Sequence, residues 1–391
     1  MSSGRLKSID ILRALTMLLM IFVNDLWTLS DIPQWLGHKA ANVDGMGLAD
    51  VVFPAFLFIV GLSIPHAIRA RFRKGDSNNK VLWHILERSM ALLIMGLFMV
   101  NLENIDREQL LFSKYLWQIL MTLAFFLIWN VYRGKVFGKV PVPVMKGIGW
   151  GILVFLAIIY KGPVSGAGDY HWMQLHWWGI LGLIGWGYLL AALAYLLLGN
   201  KPGWLAAVCV GLLLLNVNEF KTPFESRFRI VVSASNYTSV MLGVLASSVM
   251  ISLRDKDRMK YLLPSLAGMA LLLLAFGFLT RPLWGISKIM ATPSWTAICA
   301  GITMVSFGLM YLVADRFNLT RWANIIGPAG SSTLTCYLVP YYVYAIGAML
   351  AIHLPEILRT GAVGIVKSII FSVLIIQITA LLVKLNIRLK I

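Results

Sequence analysis

Twelve apolar runs of roughly 20 residues, separated by short polar segments, constrain this chain more than any other feature. A run of that length matches the ~30 Å hydrocarbon core of a bilayer crossed by a helix. In lipid the backbone must satisfy its own hydrogen bonds, which leaves helices or closed barrels. A barrel would show segments of ~10 residues with alternating polarity, and these runs are continuous. The sequence therefore predicts an all-α fold: a polytopic transmembrane helix bundle of about twelve spans, with residues 1–391 forming a single domain. Composition agrees, since 13% of residues are charged where a soluble domain carries about a quarter.

The predicted spans are approximately Ile9–Thr28, Leu48–Ile68, Val81–Val100, Leu110–Val131, Val144–Tyr160 and Trp177–Leu198, followed by Trp204–Asn216, Asn236–Leu253, Tyr261–Thr280, Trp295–Val313, Ser332–Ile352 and Val363–Leu385. The fifth and seventh are short for a crossing. Loop charges test the count. With both termini cytoplasmic, 21 basic residues fall on the inner side and 10 on the outer, as the positive-inside rule requires. Losing only one weak span would invert every later loop and put the basic Arg254–Lys260 segment outside.

The net charge of +17 is explained by these loops, which face anionic lipid headgroups, and nucleic acid is not an expected partner. Cys209, Cys299 and Cys336 each lie inside an apolar run without metal or redox spacing, and read as small buried hydrophobes. No cleavable leader is expected, because the apolar run after Arg5 and Lys7 is too long for one. The pair His171 and His176 is not spaced i,i+4, and no metal site is expected.

Ionisable groups near apolar runs carry the functional suspicion. Asp10 and Arg13 share one face of the first span and form either an interfacial ion pair or, with Arg5 and Lys7, an anion-binding entry. The same span ends outside with Asn24 and Asp25. The next loop carries His38, and Asp50 stands at the start of the second span, one turn before Pro54. Asp50 reads as a helix-capping carboxylate or as a partner for the imidazole, and His38 as a solvated loop histidine or as a general base. Pro54 is expected to be tolerated in the helix's first turn. Ser287 and Lys288 precede the tenth span, as a helix entry or as ligands for a sugar hydroxyl or carboxylate. The small residues Gly327–Ser332 before the eleventh span suit close helix packing.

Two blocks carry a family resemblance. Arg5-Leu-Lys-Ser-Ile-Asp10-Ile-Leu-Arg13, leading to Asn24, resembles the opening of the heparan-α-glucosaminide N-acetyltransferase family, and His38 with Gly47-Leu-Ala-Asp50-Val-Val-Phe53-Pro54 is similar to its second block. Ile286-Ser-Lys288 and the run near Gly330–Tyr337 resemble later blocks. The gaps around His38 are a few residues longer than the family's, and Arg13-Ala14 replaces its Arg-Gly. The sixth and seventh spans look like an insertion into the family's ten-helix core.

The resemblance implies transfer of an acetyl group from cytoplasmic acetyl-CoA to an amino sugar or related glycan on the outer side of a bacterial inner membrane. His38 matches the family's active-site histidine, acting as base or as transient acetyl carrier. Asn24 would orient it or donate to the developing oxyanion, and Asp50 would hold the tautomer. Arg5, Lys7 and Arg13 would bind the CoA phosphates, and Asp25, Ser287 and Lys288 the acceptor. A homodimer is compatible. A sugar permease and a non-catalytic scaffold are the competing classes, although neither internal symmetry nor paired broken helices is visible in the sequence.

Overall fold

The computed structural model describes residues 6–132, 140–163, 171–221 and 231–391. It contains thirteen α-helices and no strand among the described residues. In chain order they are α1 (Lys7–Asp25), α2 (Leu48–Arg73), α3 (Asn78–Glu103), α4 (Lys114–Trp129), α5 (Val142–Ile158), α6 (Gly179–Leu198), α7 (Pro202–Lys221), α8 (Ala234–Asp255), α9 (Leu262–Trp284), α10 (Pro293–Tyr311), α11 (Gly327–Ser331), α12 (Thr333–Met349) and α13 (Gly361–Lys384). A helix underlies each of the twelve apolar runs, and α11 is the additional short one. Among the described residues eight helices are long and apolar enough to cross a membrane; α4 and α5 are shorter apolar helices.

The seventh run forms a longer helix than the sequence suggests, reaching Lys221 rather than Asn216. Polar residues hid its end. Glu219 takes hydrogen bonds from Ser233 Oγ at 2.8 Å, the Ala234 N–H at 2.9 Å and Asn216 Nδ2 at 3.1 Å. A carboxylate satisfied by so many donors can stay buried where hydropathy alone predicts a stop.

Lipid and protein sort the helices. The apolar stretch of α8 is 83% buried, against 22% for α9 and 28% for α13. The central helix is also the polar one: Ser235, Asn236, Thr238, Ser239, Ser247 and Ser248 are all buried. Side chains facing lipid have nothing to hydrogen-bond, whereas small polar ones let helices approach closely. α2 and α8 cross this way. A Cβ on Gly61 would lie 1.9 Å from the Val240 carbonyl oxygen, and one on Gly243 would lie 2.0 Å from that of Phe58. Only glycine fits either position.

Both ends of the described chain lie at one end of the bundle. The Lys7 and Ser8 N–H groups donate to Asp315, and Arg388 donates to the Ser331 carbonyl beside the start of α12. α1 then runs away from this end, so the segment between α1 and α2 lies at the far end.

Gly243→Val should destabilise the protein by about 1–3 kcal/mol or more through overpacking at the α2–α8 crossing. The check is the thermal midpoint of the detergent-solubilised protein, which should fall.

Candidate functional site

The start of α2 holds the first half of the site. Asp50 is the third residue of the helix and only 1% exposed. Its Oδ2 accepts the N–H groups of Gly47 at 2.9 Å and Lys39 at 3.1 Å, which caps the helix and ties the loop to it. Its Oδ1 lies 2.7 Å from His38 Nδ1. One side chain thus both caps the helix and contacts the imidazole. A carboxylate only accepts, so Nδ1 carries the hydrogen and the neutral ring keeps its lone pair on Nε2. The imidazole is 51% exposed and accessible. Gly47 is required here, because a Cβ on it would sit 2.0 Å from the Gly37 carbonyl oxygen.

Pro54 is the seventh residue of α2, beyond the first turn where the sequence suggested it would cost little. Proline has no N–H to return to residue i−4, so the Asp50 carbonyl is left without its helical partner. The indole Nε1 of Trp295 donates to it at 3.1 Å, from α10. Tertiary structure thus replaces the missing bond and fastens α10 against the site.

The turn between α9 and α10 supplies the second half. Asp44 receives the Ile286 N–H at 2.7 Å and Arg281 Nε at 2.8 Å, and Ser287 Oγ donates to the Ala41 carbonyl at 3.2 Å. Arg281 holds the Asp44 carboxyl below the usual range, aided by that backbone bond. The turn presents Lys288, whose Nζ is 3.3 Å from His38 Nδ1 and 3.4 Å from Nε2. The near-equal distances place the amine beside the ring between its two nitrogens. Burial pushes the Lys288 ammonium below its ordinary value, opposed by the charge of Asp50.

His38, Asp50 and Lys288 are therefore brought together, with Ser287 bracing the turn. The other sequence candidates lie elsewhere. Asp25 is 2% exposed and engaged by Tyr344 Oη at 2.7 Å, Lys367 Nζ at 2.7 Å and Ser368 Oγ at 2.6 Å, pinning the end of α1 to α12 and α13. Asn24 makes no hydrogen bond to His38 among the described residues and faces a cavity instead. Lys7 Nζ donates to Asn318 at 2.7 Å, outside the cavity that Arg13 lines. Arg5 lies outside the described residues.

Two cavities share α1. The larger, of about 700 Å³, lies at the termini end, where Asp10 and Arg13 are joined by His66, Arg73, Arg88, Arg254, Arg388 and Lys390. Arg13 donates to Asp10, Ser63 and the Gly330 carbonyl. Three buried polar atoms of this wall, His66 Nε2, Arg88 Nε and Ser332 Oγ, have no partner among the described residues. The smaller cavity, of about 300 Å³, lies towards the far end and is lined by Asn24, Glu103, Gln118, Tyr337, Tyr341 and Tyr344. Residues 10, 13, 17, 21 and 24 follow helical spacing, so one stripe of α1 serves both. Met17 and Met20, 1% and 3% exposed, lie between the two sets of lining residues along α1. On α12, Leu334 lines one cavity and Tyr337 the other, about 4.5 Å apart in rise. His38 lines neither cavity.

Sequence reasoning missed much of the basic cavity. Arg73, Arg254, Arg388 and Lys390 read as orientation signals in loops, which they equally are. Arg88 and Lys367 carried a clearer signal, since each is a cation within an apolar run. One proves to line the cavity and the other to neutralise buried Asp25.

A family model described as a domain of unknown function, DUF5009, matches residues 5–226, more than half of the chain, and the chain belongs to that family. The match runs through α6 and α7, the helices expected as an insertion. A segment of 100 residues is 36% identical to the heparan-alpha-glucosaminide N-acetyltransferase of Mus musculus, and one of 97 residues is 36% identical to that of Homo sapiens. These segments cover 26% and 25% of this chain, and the match spans 14% of the length of each relative.

Because its ammonium is destabilised by burial, Lys288 should lose its proton at lower pH than exposed lysines. It should therefore react with an amine-directed acylating reagent at a pH below that at which an ordinary lysine side chain reacts. Mass spectrometry of protein labelled across a pH series checks this. Trp295→Phe should cost about 1–3 kcal/mol by leaving the Asp50 carbonyl buried without a donor, seen as a lowered thermal midpoint.

Proposed function

We propose that this chain is a transmembrane acetyltransferase, taking acetyl-CoA from the termini side and acetylating an amino sugar or related glycan on the other. The observation that carries the reading is the His38–Asp50 pair, an accessible imidazole oriented by a buried carboxylate, at the opposite end of α1 from a strongly basic cavity. The segment shared with the two N-acetyltransferases supports the reaction class. On this reading the membrane is a bacterial inner membrane and the termini are cytoplasmic, in accord with the loop charges.

The basic cavity fits the donor. Its cations and its unpartnered donors suit a phosphorylated nucleotide, and its volume is ordinary for a cofactor-sized site. Acetyl-CoA supplies an activated thioester carbonyl. Arg13, Arg88, Arg254 and Arg388 hold the phosphates, revising the set of Arg5, Lys7 and Arg13 suggested by the sequence. The stripe of α1 from Arg13 to Asn24 marks the route of the acyl arm, which requires Met17 and Met20 to move aside. Methionine is suited to this, being unbranched and adaptable.

At the far end His38 Nε2 takes a proton from the attacking amine or hydroxyl while Asp50 holds the tautomer and stabilises the imidazolium. The Lys288 amine lies where negative charge on the thioester oxygen is favoured, and the unpaired Asn24 amide offers a second donor. Preorganised donors of this kind are worth roughly 3–4 kcal/mol each in a dry site. Since His38 lines neither cavity, the loop carrying it must close towards Asn24 during reaction.

A sugar permease is the second reading, favoured by the placement of two cavities at opposite ends of one helix. It predicts uptake of labelled sugar into vesicles without any CoA requirement.

His38→Ala should abolish acetyl transfer from radiolabelled acetyl-CoA to a panel of amino sugars while the purified protein stays folded; near-normal transfer would remove His38 from the mechanism. Arg88→Ala should weaken CoA binding by at least about tenfold, the loss of one charge-assisted bond. Calorimetric titration of CoA measures it, and an unchanged Kd would take the donor out of this cavity.

A further inference from the structure

The far-end cavity has a composition of its own. Of its lining residues Glu103 alone has an acidic side chain, and none has a basic one. The rest of the polar wall is neutral: two amides and three phenols, with the Trp27 indole at the rim, 75% exposed. Gln118 spends its Nε2 on the Tyr341 carbonyl at 2.7 Å, which turns its side-chain oxygen free as an acceptor. Asn24 has no hydrogen bond among the described residues, so its amide is open to a ligand. Tyr344 is fixed by its bond to Asp25 and by edge contact with Trp27, with ring centroids 5.9 Å apart.

Glu103 makes neither a hydrogen bond nor an ion pair among the described residues, and Lys114 acts on it only electrostatically. A carboxylate, two free amide faces and flat aromatic walls around 300 Å³ suit one small ring bearing hydroxyls and a positive charge. A phosphate or a carboxylate would be repelled.

We propose that Glu103 is the specificity-determining residue of this cavity, pairing its carboxylate with the ammonium of a single aminated sugar ring. This rests on the acceptor half of the function proposed above and adds to it the group that selects an amine over a hydroxyl. It also supplies product release. Acetylation forms the C–N amide bond as the thioester C–S bond breaks; of the two protons the ammonium gives up, one leaves on the CoA thiol and one passes by way of the base to solvent, so the neutral amide product loses the charge that held the substrate. The amine must be deprotonated before it attacks, which places Glu103 in recognition rather than in bond formation.

The test is equilibrium binding of glucosamine, glucose, N-acetylglucosamine and ethanolamine to detergent-solubilised full-length protein at pH 7, without acetyl-CoA. Wild type should bind glucosamine at least about tenfold more tightly than the two neutral sugars, as expected for one charge-assisted bond. Glu103→Gln should remove that preference and leave the affinity for neutral sugars unchanged, while Glu103→Asp, which keeps the charge, should retain most of it. A Glu103→Gln protein that still prefers glucosamine overturns the proposal, as does a wild type without the preference. Binding of ethanolamine as tight as glucosamine overturns the sugar-ring assignment. Because no turnover is involved, these outcomes stand apart from the His38→Ala transfer assay, whose failure would strike the acetyltransferase reading itself.

Discussion

Asp50 is the junction on which the far-end architecture depends. Its carboxylate accepts two backbone N–H groups and orients His38, and its carbonyl, released by Pro54, accepts the Trp295 indole. One residue thus couples the loop after α1, the start of α2 and the start of α10. A buried carboxylate is tolerable only because every one of these donors is present. The same arrangement ties chemistry to folding: the imbalance created by removing any donor falls on the group that positions the imidazole.

Burial in this molecule runs opposite to the habit of water-soluble proteins. The polar α8 is the most enclosed of the eight long apolar helices, and α9 and α13 turn continuous apolar faces outward. Lipid already solvates leucine, so burying it gains little, whereas serine, threonine and asparagine gain partners only inside. The same logic explains the buried network of Asn216, Glu219, Ser233 and Thr296 behind the Lys288 turn. Asn216 Nδ2 also donates to the Ala291 carbonyl at 3.0 Å, so this network holds the far side of that turn in place.

The helices were legible because lipid imposes a length and a polarity on each. The His38–Asp50–Lys288 grouping was legible in part, as local chemistry at a helix start and a lysine before another. What joined them was not, since the Asp44–Ile286 and Ser287–Ala41 bonds link segments more than 240 positions apart. Asn24 and Asp25 show the limit most clearly. Adjacent in sequence, they point about 100° apart on α1, one into a cavity and one into an ion pair with Lys367. Polarity at the end of a span identifies neither. Basic residues near the inner loops had the opposite difficulty, because one positive charge can both orient a helix and line a cavity.

The charge of the two cavities follows from what each must refuse as much as from what each must hold. A basic enclosure at the termini end repels an ammonium, and a carboxylate-lined one at the far end repels phosphate. On the proposed function they sort ligands of opposite sign by charge, and Met17 and Met20, which lie between them along α1, move only for the acyl arm. Only a slender uncharged arm can pass the apolar interval cheaply, since an ion there would shed its hydration with nothing to replace it. On the proposed function that arm is the acyl carrier, and the barrier that blocks every charged group is the one that lets a thioester through.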